Sequence, residues 1–190
     1  MAAQPAPRGV QGTSPTFRSE EAPSRHSEIT VASRARTHFI APMPAVPGLR
    51  SPYDKSIGGL HHLGRMLDKI RLKLAGNLPP DFERNYGLSV GLDGQLCGFL
   101  NLKFADVEAR VQAGGTDAEV AEWMFTQGMR PNRTQTMIWN EHSRKLGLND
   151  RISSYLQQLK LEAGMGHVTA NTSFDLIELS EERTPPPPRG

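Results

Sequence analysis

Residues 58–76 read GGLHHLGRMLDKIRLKLAG, and this stretch separates its apolar from its charged side chains when it is wound as a helix. At about 100° per residue, six apolar side chains fall within an arc about 100° wide, the width that a helix buries against its neighbours. They are Leu60, Leu63, Met66, Leu67, Ile70 and Leu74. Gly76 follows at a position where helices commonly end on a left-handed residue. The sequence therefore predicts an amphipathic helix over residues 58–76 that packs into the core.

The opposite face of this predicted helix carries His61, Arg65, Asp68 and Lys69, at spacings where helical side chains touch. In the functional interpretation, Arg65 and Lys69 bind an anionic small molecule while Asp68 orients His61. In the structural interpretation, the same side chains form an ion-pair network that needs no ligand. These four residues are the ligand-binding candidates. The sequence assigns no catalytic residue and leaves open whether the protein is an enzyme.

Helix signals recur along the rest of the chain, whereas strand signals are scarce. The residues expected to cap these helices are Asp93, Thr116 with Glu119, Asn132 or Thr134, and Asp150. Residues 173–179, SFDLIEL, alternate imperfectly and fit either a strand or a short helix. The predicted fold class is therefore all-α, a compact domain of several helices.

Proline-rich segments flank this helical region. Residues 1–45 are rich in Ala, Pro, Ser, Thr and Arg, and the chain closes on TPPPPRG. Such segments bury too little apolar surface to fold by themselves. We expect a disordered tail over residues 1–45, a single helical domain over 46–182 and a second disordered tail over 183–190.

Composition restricts the compartment and the chemistry. The 190 residues are 37% hydrophobic, and no apolar run approaches the roughly 20 residues that span a bilayer. The single cysteine, Cys97, excludes an internal disulfide and fits a reducing compartment. We expect a cytoplasmic protein with no membrane partner, no cofactor and no metal. His61 and His62 are adjacent, and on a helix their side chains would point in different directions, so they could not coordinate the same metal ion.

Two other classes of function are alternatives to small-molecule binding. One is a non-catalytic protein-interaction module. The other is nucleic-acid binding, because residues 116–146 predict two helices joined by a tight turn, in the manner of a helix-turn-helix. The basic residues that would contact nucleic acid there are Arg130, Arg133, Arg144 and Lys145.

Two observations argue against nucleic-acid binding. Residues 51–183 carry fifteen basic and seventeen acidic residues, so the foldable region is slightly acidic. Met137, Ile138 and Trp139 also stand together in the second helix, a pattern that indicates packing rather than base contacts.

The order of the motifs resembles a known family. LRSP at residues 49–52 precedes a GGL, and the segments that follow are LGRMLDKIRLKLAG, LDGQLCGFLNL, TDAEVAEWMFTQG, a helix with Trp139, and SFDLIEL. This order resembles the bacterial family catalogued as domain of unknown function 5069, over about residues 49–182. After Gly76 that family tends to read GEYHYNCPLD, whereas this chain reads NLPPDFERNYGLSVGLD. The resemblance implies a shared fold and transfers no activity and no catalytic residue.

Overall fold

The structure is a computed structural model and describes residues 45–187. Within that range the chain forms helices joined by short turns. They are α1 (Leu63–Leu74), α2 (Pro80–Glu83), α3 (Leu92–Phe99), α4 (Phe104–Gln112), α5 (Asp117–Gln127), α6 (Arg133–Lys145), α7 (Ser153–Glu162) and α8 (Ser173–Ser180). No strand occurs between residues 45 and 187, so the all-α prediction is confirmed. Residues 173–179 belong to α8 and form a helix rather than a strand.

α1 supplies the centre of the main hydrophobic core. Its buried apolar side chains pack with those of α3, α4 and α5 and with Trp139 of α6. Leu63, Met66, Leu67 and Ile70 are fully buried, and each such burial contributes about 1.5–3 kcal/mol. The apolar face predicted from the sequence is therefore the core-facing side of α1. Leu74 is the exception, because it lies in the last turn and is 44% exposed.

α1 begins later than the sequence predicts. His62 adopts a left-handed backbone with φ of 70°, so the right-handed helix starts only at Leu63. The preceding residues form turns, and an added Cβ on Gly58 would lie 2.5 Å from the ring of Phe125. At the other end, Gly76 has a φ of 70° and stops the helix as predicted.

Reciprocal capping boxes open α5 and α6. The hydroxyl of Thr116 accepts a hydrogen bond from the backbone N–H of Glu119, whose carboxylate accepts one from the backbone N–H of Thr116. Asn132 and Gln135 exchange the equivalent pair of bonds. The predicted cap of α5 is confirmed, and Asn132 is the cap of α6.

Asp150 does not cap α7, contrary to the sequence expectation. Its carboxylate accepts hydrogen bonds from the backbone N–H groups of Gly147 and Ile152, in the turn before the helix. Ile152 then occupies the N-cap position without a side-chain hydrogen bond. Asp150 therefore stabilises the turn between α6 and α7 rather than the helix end.

A smaller apolar cluster lies apart from the main core. Leu49, Leu78 and Phe82 are its buried members. It joins the segment before α1 to the short helix α2, and the ring of Phe82 lies 5.8 Å from the guanidinium carbon of Arg65. α2 therefore covers part of the polar face of α1.

The two predicted tails fall almost wholly outside the described residues. The structure describes neither residues 1–44 nor 188–190, so the expected disorder there stays a prediction. Arg183 donates a hydrogen bond from Nε to the carboxylate of Glu178 at 2.9 Å, so ordered contacts continue to that residue. Within residues 45–187, no helix is both long and apolar enough to cross a membrane.

Candidate functional site

The four ligand-binding candidates are buried, each at most 8% exposed. Arg65, Asp68 and Lys69 lie on α1, whereas His61 precedes the helix. The helical spacing predicted between His61 and Arg65 is therefore wrong, because the left-handed backbone of His62 separates them. A buried charge is costly unless it is paired, so the partners of these side chains define the site.

Arg65 is hydrogen-bonded to the carboxylate of Glu181, which follows α8 near the end of the described chain. Its Nη1 and Nη2 atoms donate to the two carboxylate oxygens of Glu181, and Nη1 also donates to the backbone carbonyl of Arg50 at 2.7 Å. Arg65 and Glu181 are 3% and 1% exposed. Arg65 therefore makes a two-pronged contact with a carboxylate of the chain itself.

Asp68 pairs with Arg50, whereas the sequence predicted that it would pair with His61. Nε and Nη2 of Arg50 donate to the two carboxylate oxygens of Asp68 at 2.7 and 2.6 Å, and the backbone N–H of Arg50 donates at 2.9 Å. Arg50 also pairs with Asp117 at 2.9 Å. Hydrogen bonding to Asp68 raises the pKa of Arg50 despite its partial burial. Asp68 therefore fixes the segment whose carbonyl accepts the hydrogen bond from Arg65.

Lys69 pairs with Asp93, a residue that was expected to be a helix cap. Nζ of Lys69 lies 2.6 Å from each carboxylate oxygen of Asp93, which also accepts a hydrogen bond from the backbone N–H of Gly87. Gly91 caps α3 instead, and Asp93 lies in its first turn with the side chain buried. Burial alone would raise the pKa of Asp93, but the charge of Lys69 and the hydrogen bond from His62 hold it well below its ordinary value.

His62 belongs to the same buried group, although it was not among the residues predicted to form the site. Its Nε2 lies 2.8 Å from Asp93, and its ring stacks on Phe174 with 6.3 Å between ring centroids. Burial lowers the pKa of His62 to about 4, so the ring is neutral at pH 7 and Nε2 donates to the carboxylate. Its buried Nδ1 has no hydrogen-bond partner in the described chain. An unpartnered buried nitrogen and a left-handed backbone are both unfavourable, and such features concentrate at functional sites.

The turn that holds His61 and His62 is fixed by α6. Asn140 accepts a hydrogen bond from the backbone N–H of His61 at 2.8 Å and donates one to the carbonyl of Gly59 at 2.9 Å. The indole N–H of Trp139 donates to the carbonyl of His61 at 3.0 Å. The ring of His61 packs edge-on against Phe174. α6 and α8 thus both contact the turn that starts α1.

A family model described as Domain of unknown function (DUF5069) matches residues 46–183. The chain belongs to the DUF5069 family. The resemblance inferred from the motif order is thereby confirmed. The matched region contains Arg50 near one end and Glu181 near the other, so it includes the whole ion-pair network of α1. No curated protein matches the chain.

In this DUF5069 chain the polar face of α1 balances its charges internally. Five cations pair with five carboxylates, and these are Arg50, Arg65, Lys69, Arg71 and Arg183 with Asp68, Asp93, Asp117, Glu178 and Glu181. Across residues 45–187, no three His, Cys, Asp or Glu side chains are grouped so that they could hold a metal ion. Arg65 could therefore bind an external anion only if the carboxylate of Glu181 moved away from it.

The α5–α6 pair of this DUF5069 chain was the candidate for nucleic-acid binding. Three of its four candidate cations already pair with carboxylates: Arg130 with Glu122, and Arg144 and Lys145 with Glu141.

The packing argument made against nucleic-acid binding is correct for Trp139, which is buried, and wrong for its two neighbours. Met137 and Ile138 are each 57% exposed on the outer side of α6.

Proposed function

We propose that this DUF5069 protein binds an anionic small molecule, bearing a carboxylate or phosphate, at Arg65 on the polar face of α1. The two-pronged hydrogen bonding of Arg65 to the buried carboxylate of Glu181 carries the proposal. A guanidinium fork of this kind matches carboxylates and phosphates alike. Glu181 occupies the position that the anionic group of a ligand would take.

The other candidates have different roles in this proposal. Lys69 lies one turn further along α1, and because its ammonium is paired with Asp93, it offers a second positive charge to a ligand only when that pair opens. Asp68 holds Arg50, whose carbonyl accepts a hydrogen bond from Arg65, so Asp68 positions the fork without touching the ligand. His61 packs against Phe174 at the start of α8 and anchors the helix that ends beside Glu181. The proposal assigns no reaction.

Ligand binding requires Glu181 to leave Arg65. Glu181 directly follows α8, close to the end of the described chain. Among the described residues, the two apolar clusters that contain α1 and α2 include no member of α8. Opening of the last turn of α8, together with Arg183, which pairs with Glu178 and Glu181, would therefore remove no member of either cluster. Local opening of this kind costs less than unfolding.

Glu181→Gln tests the proposal, because it removes the competing charge and keeps the side-chain size. Inorganic phosphate and citrate are the probes, and the midpoint of thermal unfolding is measured against probe concentration. We expect both anions to stabilise the variant, by about 2.7 kcal/mol at a hundredfold excess over Kd. The wild-type protein should respond far less, because Glu181 competes from within the same molecule.

Two further variants separate a specific site from a general salt effect. Adding Arg65→Gln to Glu181→Gln should abolish the response. Glu122→Gln breaks the exposed ion pair with Arg130 and makes the same change of charge elsewhere. If Glu181→Gln responds no more than Glu122→Gln, the pair of Arg65 and Glu181 is structural and the proposed function is wrong.

We also propose that this binding takes place in the cytoplasm. Cys97 is the single cysteine and is a buried free thiol, as suits a reducing compartment. Burial raises its pKa to about 12, which keeps the thiol unreactive. Fractionation of cells that express the tagged protein tests the assignment, which predicts that the protein stays with the cytoplasmic fraction.

A non-catalytic interaction module is a second candidate, favoured by the adjacent exposed side chains of Met137 and Ile138. Replacing both with serine should change the free energy of unfolding by no more than about 0.5 kcal/mol each, because neither is in the core. In this alternative the double variant loses any protein that co-purifies with the natural chain. An unchanged set of co-purifying proteins argues against the module.

A further inference from the structure

A second polar surface lies away from the network of α1. An open groove of about 720 Å³ lies between the end of α3, the start of α4 and the side of α5. Its polar and aromatic lining consists of Asn101, Lys103, Asp106, Arg110, Trp123 and Gln127. The volume falls within the range of small-molecule sites, and the lining shares no residue with the ion-pair network.

Two donors of this groove, those of Lys103 and Trp123, are unengaged within residues 45–187, in contrast to the donors of the α1 face. Within the described chain, Lys103 forms no ion pair and the indole N–H of Trp123 donates no hydrogen bond. Arg110 uses one Nη atom to donate to the carbonyl of Gly114. Asp106 is the acidic residue of the lining, so two cations face one carboxylate. The lining itself therefore carries one more cation than carboxylate, with Glu119 beside Arg110 just outside it, and it offers the free donors of Lys103 and Trp123.

The backbone holds the walls of the groove in place. At Gly128, the residue that ends α5, an added Cβ would lie 2.1 Å from the carbonyl oxygen of Leu100. The backbone N–H of Met129 donates to that same carbonyl at 2.8 Å. The turn between α3 and α4 is thus tied to the end of α5. A ligand that enters this groove meets a preformed surface and pays little to order it.

We propose that this groove binds a planar organic anion, with its ring against Trp123 and its carboxylate or phosphate beside Lys103 and Arg110. Trp123 is half-buried, and the part that packs on the core fixes the ring that lines the groove. Aromatic rings stack favourably on such a surface, and the net positive lining favours an anionic substituent. The proposal is independent of the Arg65 site, because no lining residue takes part in the hydrogen bonds or ion pairs of Arg65 and Glu181.

The two tryptophans of the chain provide a site-specific measurement. Trp123 lines the groove, whereas Trp139 is buried and hydrogen-bonded to His61. Their indole N–H signals are two separate resonances in a nitrogen–proton correlation spectrum, assigned with Trp123→Phe. The full-length protein is titrated with benzoate, with phenyl phosphate and with benzyl alcohol as the neutral control. We expect a saturable shift of the Trp123 signal with one or both anions, while the Trp139 signal stays unchanged.

Charge variants identify the cation that holds the anion. Lys103→Glu should weaken binding by about tenfold or more, the range expected for one charge-assisted hydrogen bond. Lys55→Glu makes the same change of charge on an exposed residue outside the groove and should leave the Kd unchanged. Because Lys103 is exposed, the variant is expected to fold, and an unchanged Trp139 signal verifies it.

Three results would overturn the proposal. One is the absence of a saturable Trp123 shift at millimolar anion. Another is equal binding of benzyl alcohol, which would show that the groove recognises a ring without its charge. The third is equal weakening by Lys103→Glu and Lys55→Glu, which would reduce the effect to net charge. A preference for benzoate or for phenyl phosphate identifies the anionic group.

Discussion

Nζ of Lys69 lies 2.6 Å from both carboxylate oxygens of Asp93, and both residues are buried. A buried pair of this kind adds little stability beyond that of apolar residues of the same volume, but breaking it leaves an uncompensated charge. The pair joins α1 to α3. Asp93 also accepts hydrogen bonds from His62, at the start of α1, and from Gly87, in the loop before α3. Asp93 is therefore a shared hydrogen-bond acceptor that ties together α1, α3 and the loop between them.

Asp93→Asn should destabilise the protein by about 3–5 kcal/mol, because Lys69 loses its counter-charge in a buried position. The free energy of unfolding in urea measures the effect. Adding Lys69→Met removes the stranded charge and should recover part of the loss. A cost below about 1 kcal/mol for Asp93→Asn alone would mean that water enters the site.

His62 makes stability depend on pH. The unfolded chain takes up a proton near pH 6.5, whereas burial lowers the pKa in the folded protein to about 4. The stability contributed by neutral His62 is therefore complete above pH 6.5 and declines as pH falls to about 4, by about 3 kcal/mol in total. His62→Asn keeps a residue that tolerates a left-handed backbone and removes the titration. Urea unfolding across this range should show a flatter pH dependence for the variant, and parallel curves would contradict the assignment.

Gly128→Ala should destabilise the protein by about 1–3 kcal/mol, because the new methyl group meets the carbonyl of Leu100 and the backbone must shift. Gly98 is the matched control, since it lies within α3 and an added Cβ there contacts nothing within 4 Å. Gly98→Ala should stabilise by about 0.5–1 kcal/mol through helix propensity. Urea unfolding measures both variants, and similar effects of the two would show that α5 does not approach Leu100 this closely.

Asn140→Ala should cost about 1–3 kcal/mol, because it leaves the backbone groups of Gly59 and His61 without their partner. Amide hydrogen exchange in residues 57–62 should accelerate more than in α1. His142→Ala removes an exposed side chain from the same helix and is the control, with an expected effect within about 0.5 kcal/mol. Unchanged exchange in Asn140→Ala would argue that α6 does not fix this turn.

Local patterns in the sequence predicted the helices well, and the exceptions have local causes. The capping box at Thr116 and the stop at Gly76 are read from residues only a few positions apart, and Asn132 was one of the two caps considered for α6. The start of α1 was misplaced because a left-handed histidine leaves no periodic signal. Asp93 was predicted to be a cap because aspartate is a common N-cap residue, whereas its side chain turns inward to Lys69.

The partners of the candidate site could not be predicted from spacing. Arg65 and Glu181 are 116 positions apart, and Asp68 and Arg50 are 18 apart, so tertiary packing alone brings them together. Helical periodicity identified which side chains of α1 share a face, because that relation is local. It carried no information on which carboxylates neutralise them. The same limit explains why His62 was missed, since its importance arises from contacts with Asp93 and Phe174.

A double-mutant cycle on Arg65 and Glu181 tests most directly the claim that Arg65 holds a carboxylate of the chain as a ligand. The free energy of unfolding is measured for the wild-type protein, Arg65→Met, Glu181→Gln and the double variant. The structure predicts a coupling energy of at least about 1.5 kcal/mol, as measured for close charge pairs that are shielded from water. Effects that add to within about 0.5 kcal/mol would show that the two residues do not interact, and they would contradict the account.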